Sequence, residues 1–73
     1  MPKKAVIHFE SLHESGNIYW LTGAAQVELH KQQRITDYNT MRDRVLASGS
    51  YEESLAIIRE YVDLIDDDGR YKW

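Results

Sequence analysis

Ser50-Tyr51-Glu52-Glu53-Ser54-Leu55-Ala56-Ile57-Ile58-Arg59-Glu60-Tyr61-Val62-Asp63-Leu64-Ile65-Asp66 is the stretch on which the fold turns. Its first four residues form a capping box. The Ser50 oxygen is placed to accept the Glu53 N–H, and the Glu53 carboxylate to reach back to the Ser50 N–H. Glu52 and Glu53 also set negative charge at the positive end of a helix dipole. On a wheel of about 100° per residue, Tyr51, Leu55, Ile57, Ile58, Tyr61, Val62, Leu64 and Ile65 fall in one half. Glu52, Glu53, Arg59, Glu60, Asp63 and Asp66 fall in the other. The stretch therefore predicts a helix over 51–66. Its apolar face is nearly twice the roughly 100° stripe of an ordinary surface helix, so it should touch two elements, or one element and a partner.

Working back towards the start, Thr36 or Asp37 can cap a helix over 37–47, with Tyr38, Met41 and Val45 on one side and Arg42 between them. Gly49 is a natural left-handed stop, and so short a link to Ser50 implies a tight helical hairpin. Residues 24–33 are built mostly from good helix formers, and Ala25 and Leu29 stand four apart. Ala25, Val27 and Leu29 also alternate with polar residues, so a third strand at 24–31 is the alternative. Residues 4–12 read as a strand, with Ala5, Ile7 and Phe9 on one face. Glu14-Ser15-Gly16-Asn17 has turn chemistry, and the β-branched and aromatic run Ile18-Tyr19-Trp20-Leu21-Thr22 reads as a partner strand over 18–22. The expected architecture is α+β: an N-terminal β-hairpin packed on a helical remainder within a single domain spanning 1–73. Residues 66–73 are expected as an acidic and aromatic tail, either flexible or with Tyr71 or Trp73 packed back on the hairpin.

Composition narrows the function classes. A chain of 73 residues has room for one core. Apolar content of 42% and charged content of 29% are globular values. The absence of cysteine excludes disulfide staples and thiolate metal sites. Neither a signal peptide nor a bilayer-length apolar run is visible, so the expectation is a cytoplasmic protein with no membrane contact. The net charge of −3 is uneven. Residues 1–49 hold six cations against five anions, and residues 50–73 hold three against seven. The acidic last third disfavours nonspecific phosphate binding and suits a basic protein surface.

Motifs for chemistry are sparse. Asp66-Asp67-Asp68-Gly69 fails as a calcium loop, because a loop whose sixth residue is Gly69 would need its twelfth beyond Trp73. His13-Glu14 lacks a second histidine four residues on. The glycines form no phosphate-cradling loop, and Ser48-Gly49-Ser50 lacks nucleophile-elbow spacing. No catalytic residue, metal ligand or cofactor is assigned, and the chain is read as a non-enzyme. Arg70-Tyr71-Lys72-Trp73 mixes cations with aromatics, a combination enriched at interface hot spots.

Gln26-x-Glu28-Leu29 followed by Ile35-Thr36 resembles the spacing of helix-turn-helix DNA readers over about 20 residues. That resemblance implies that Tyr38, Asn39, Arg42 and Arg44 would face DNA. His30, Arg34 and Thr40 depart from the small, glycine and apolar residues those families place there.

The leading expectation is a small non-catalytic protein-binding regulator. It is of the kind found among bacterial and phage accessory proteins, acting on nucleic-acid machinery such as RNA polymerase. Its partner-binding residues are assigned as Arg42, Arg44, Tyr61, Asp66, Asp67, Asp68, Arg70, Tyr71 and Trp73. A DNA-binding protein and a structural homo-oligomer are the alternatives.

Overall fold

The computed structural model describes residues 4–73. The elements run β1 (Val6–Phe9), a 3-10 turn at Glu14–Gly16, α1 (Ile18–Lys31), α2 (Ile35–Leu46), α3 (Tyr51–Arg59) and β2 (Asp63–Asp66). The α+β class holds. The β-hairpin does not: β1 pairs instead with β2, in parallel, with Ile7 opposite Leu64 and Phe9 opposite Asp66. All three helices lie between the paired strands in sequence, as a parallel crossover requires.

Three sequence expectations are corrected by this arrangement. Residues 18–22 are the first turns of α1 and not a strand. The Asn17 side chain accepts the Tyr19 N–H at 2.8 Å, which caps the helix. Leu21, Ala25 and Leu29 then recur every four residues on its buried side, and this continuous stripe outweighs the local β propensity of Ile18-Tyr19-Trp20. The same stripe removes the alternative strand at 24–31. The helix expected over 51–66 divides after Arg59. Glu60 and Tyr61 donate back three residues, to Ile57 and Ile58, tightening the last turn. The Asp63 N–H then donates to the Ala5 carbonyl at 2.8 Å, opening the parallel ladder. The over-wide apolar face was thus two elements read as one. Val62, Leu64 and Asp66 are buried at period two, while Leu55, Ile57 and Ile58 are buried on the helix.

The capping box is realised with one change of partner. Ser50 Oγ accepts the Glu53 N–H at 3.1 Å, but the Glu53 carboxylate takes the Gly49 N–H at 3.0 Å and not that of Ser50. Between α1 and α2 the chain makes a Schellman turn. Arg34 N donates to Leu29 O and Gln33 N to His30 O, with Gln33 in the left-handed region at φ 59°.

The core is one cluster. Phe9, Leu21, Leu29, Met41, Leu55, Ile58 and Val62 are its fully buried large side chains, contributed by β1, the three helices and the link into β2, with Leu64 of β2 buried beside them. Among the described residues, no helix is long and apolar enough to cross a membrane.

Candidate functional site

Two regions concentrate unusual side chains: the loops beyond the C-terminal ends of β1 and β2, and the seam between α1 and α2.

Parallel pairing brings the carboxyl ends of both strands to one side of the molecule, and with them residues more than fifty positions apart. Asp66 organises this end. It is buried at 8% exposure. Its Oδ1 accepts the N–H of Ser11 (3.1 Å) and of Asp68 (2.9 Å), while Oδ2 accepts the Ser11 hydroxyl (2.6 Å) and the Tyr71 N–H (2.9 Å). Burial opposes its ionisation. The Ser11 hydroxyl and the three N–H donors outweigh burial and hold the carboxyl at about 2. One side chain thereby ties the loop after β1, the turn after β2 and the segment leading to Trp73.

Around that latch the neighbouring acids meet histidines. His8 Nδ1 lies 3.0 Å from Asp67 Oδ1. His13 Nδ1 lies 3.0 Å from Asp68 Oδ2 and 3.7 Å from Glu10 Oε2. The hydrogen bond to Asp68, then the charges of Asp68 and Glu10, raise the His13 pKa above its ordinary 6.5. The Leu12 N–H donates to the same Asp68 oxygen at 2.9 Å. Beside this group opens a broad polar cleft of about 570 Å³, bordered by Ser11, His13, Glu14, Tyr51, Glu52 and Tyr71. The nearby hydroxyls are engaged elsewhere: Ser11 donates to Asp66, Ser15 accepts the Glu10 N–H, and Tyr51 donates to the Gly16 carbonyl. Burial raises the Tyr51 phenol above its ordinary value, which keeps it a donor. The geometry offers a histidine–carboxylate group open to water, with the neighbouring Ser11, Ser15 and Tyr51 hydroxyls already hydrogen-bonded within the fold.

The second region is apolar. α1 and α2 enclose a groove of about 270 Å³ lined by Ile18, Tyr19, Gly23, Tyr38, Arg42 and Leu46, with Thr22, Gln26 and Val45 completing it. Tyr19 is 81% exposed and Leu46 68%. A Cβ placed on Gly23 would meet nothing within 4 Å, so the helix leaves a notch there. The Arg42 guanidinium stands 6.0 Å from the Tyr38 ring centroid and 3.6 Å from Asp43. A glycine in mid-helix flanked by Tyr19 and Gln26 was the visible sign of this groove. The hairpin reading of 18–22 hid it.

The residues assigned from sequence as partner-binding are dispersed among different roles. Arg42 lines the groove. Arg44 makes a two-pronged pair with Glu60 at 2.9 and 2.7 Å and donates to the Tyr61 hydroxyl at 3.2 Å. Those bonds lower the Glu60 pKa and raise that of Arg44, so they join α2 to the end of α3. Asp66 is spent on internal hydrogen bonds, Asp67 meets His8, and Asp68 meets His13. The segment after Gly69 packs back on the fold. Tyr71 stacks on Trp73 at 5.6 Å, Trp73 on Phe9 at 6.2 Å, and Arg59 lies 4.3 Å over the Trp73 ring. Arg70 lies 5.5 Å from the Tyr71 ring centroid. Of the residues placed towards DNA by the helix-turn-helix spacing, Tyr38 is buried and Arg44 is paired, while Asn39 and Arg42 are exposed. No protein-family model matches the chain, and no curated protein or solved structure matches it at a significant level.

Proposed function

We propose that this chain is a small, non-catalytic protein-binding module that receives an amphipathic helix of a larger protein in the α1/α2 groove. The observation that carries the reading is the notch at Gly23 between two strongly exposed apolar side chains, Tyr19 and Leu46. Helix-in-groove recognition uses apolar anchors spaced i, i+3/i+4 and i+7, and the notch offers space for one anchor. Protein is favoured over duplex DNA because the cations near α2 already have anions: Arg34 meets Asp37, Arg44 meets Glu60, and Lys31 meets Glu28. Phosphate binding draws on cations available to neutralise it. The net negative charge of residues 50–73 suits a target with a basic surface, and we propose that the module acts in the cytoplasm as an accessory regulator of nucleic-acid machinery such as RNA polymerase.

The test fills the notch. Gly23→Leu extends a side chain from a Cβ position with nothing within 4 Å of it, whereas Gly23→Ala leaves most of the groove open. Immobilised wild type and Gly23→Ala should retain the same protein from lysate of the encoding organism, and Gly23→Leu should lose it. Equal retention by Gly23→Leu overturns the groove as the docking site.

A further inference from the structure

We propose that Glu10, His13 and Asp68 form a binding site for one divalent transition-metal ion of the zinc type, at the end of the molecule where both strands finish. One ligand atom from each residue lies within 4.8 Å of the other two. His13 Nδ1 stands 3.0 Å from Asp68 Oδ2 and 3.7 Å from Glu10 Oε2. Zinc bonds to imidazole nitrogen and carboxylate oxygen at roughly 2.0–2.2 Å, so adjacent ligand atoms on a tetrahedral ion stand roughly 3.3–3.5 Å apart. The two His13 separations bracket that value, and the Glu10–Asp68 separation, within 4.8 Å, closes by movement of the exposed Glu10 side chain.

The placement is also supported from behind. Asp68 is the least exposed of the three, and the Leu12 N–H fixes its ligating oxygen from the side. Such hydrogen bonds orient metal ligands in established sites. The loop carrying His13 and the turn carrying Asp68 are both tied to Asp66, so the ligands from distant parts of the chain are held together before an ion arrives. The ion takes the position of the proton between His13 Nδ1 and Asp68, and that proton passes to solvent. A nitrogen and two carboxylate oxygens without sulfur suit zinc and its first-row neighbours. Three protein ligands leave a further position for water or an outside donor. His8 with Asp67 supplies only a pair, which makes it the internal control.

Zinc chloride titrated into the full chain, read by calorimetry and by backbone amide shifts, tests the site. The expected result is one ion per chain at micromolar zinc, with the largest shifts at residues 10–14 and 67–69. His13→Ala should weaken binding at least tenfold, and Asp68→Asn, which keeps an acceptor for Leu12, should do the same. His8→Ala should leave the affinity unchanged. Absence of saturable binding below millimolar zinc overturns the proposal. So does equal affinity in His13→Ala, or a dependence on His8.

Discussion

Replacing Asp66 by asparagine should reveal how much of the fold hangs on one carboxylate. Each Asp66 oxygen accepts two donors, three of the four being backbone N–H groups. An asparagine amide presents one oxygen and one NH2. With the nitrogen at the Oδ2 position, the Ser11 hydroxyl can rotate to accept, but the Tyr71 N–H faces another donor. With it at Oδ1, the Ser11 and Asp68 N–H groups are both stranded. Hydrogen bonds to a charged group contribute about 1.5–3 kcal/mol each, and an unsatisfied buried group costs about 1–3 kcal/mol. Even the better orientation should therefore cost about 2–3 kcal/mol. A domain of this length commands only roughly 4–11 kcal/mol in total, and each kcal/mol moves its melting point by about 4–8 °C. Thermal unfolding followed by circular dichroism should then show a fall of about 10–20 °C for Asp66→Asn. Asp67→Asn, on an exposed side chain, should stay within about 0.5 kcal/mol of wild type. The difference should also depend on pH. With the folded carboxyl held at about 2 against an ordinary 3.8, its ionisation contributes about 2 kcal/mol that is fully present above pH 4. That contribution fades as the pH falls through 2, so wild type and Asp66→Asn should converge in acid. A variant as stable as wild type at pH 7, or a gap that widens in acid, would refute the latch.

Substitutions at four further positions test local geometry by urea unfolding. Gly16→Ala should destabilise by about 2 kcal/mol or more, since its Cβ would stand 2.7–2.8 Å from backbone atoms of Glu10 and Ser11. Gly23→Ala should stabilise by about 0.5–1 kcal/mol through helix propensity alone; a loss there would mean the notch is already filled. Gln33→Gly should gain up to about 1 kcal/mol by relieving the left-handed residue of the α1–α2 turn, whereas Gln33→Val should lose stability. Ser50→Ala should cost about 1 kcal/mol by removing the α3 cap.

The start of α3 was legible because capping is local chemistry: Ser50 and Glu53 stand three apart and announce themselves. Its end was not. Helical spacing runs on through Ile58, Val62 and Ile65, while Val62, Leu64 and Asp66 also alternate, and no glycine or proline interrupts them. Pairing with β1 decides between the two periods, and that contact joins residues 5–9 to 63–67. The poor helix propensity of Asp63, Asp66, Asp67 and Asp68 was the one local hint. At α1 the β-branched and aromatic residues of 18–20 masked a stripe of Leu21, Ala25 and Leu29 that a longer window exposes. The Glu10, His13 and Asp68 group was invisible for the same reason as the sheet. Glu10 and His13 stand three apart, but Asp68 lies 55 residues beyond His13 and reaches them only through the parallel pairing of β1 with β2.

The claim that the α1/α2 groove receives a partner helix is tested most directly by photo-crosslinking from within it. A photoreactive residue substituted for Tyr19 should join covalently to one defined helical segment of the retained protein, and the same group at His8, on the outer sheet face, should not. Crosslinks forming from position 8 and not from position 19 would place the partner elsewhere and contradict the account.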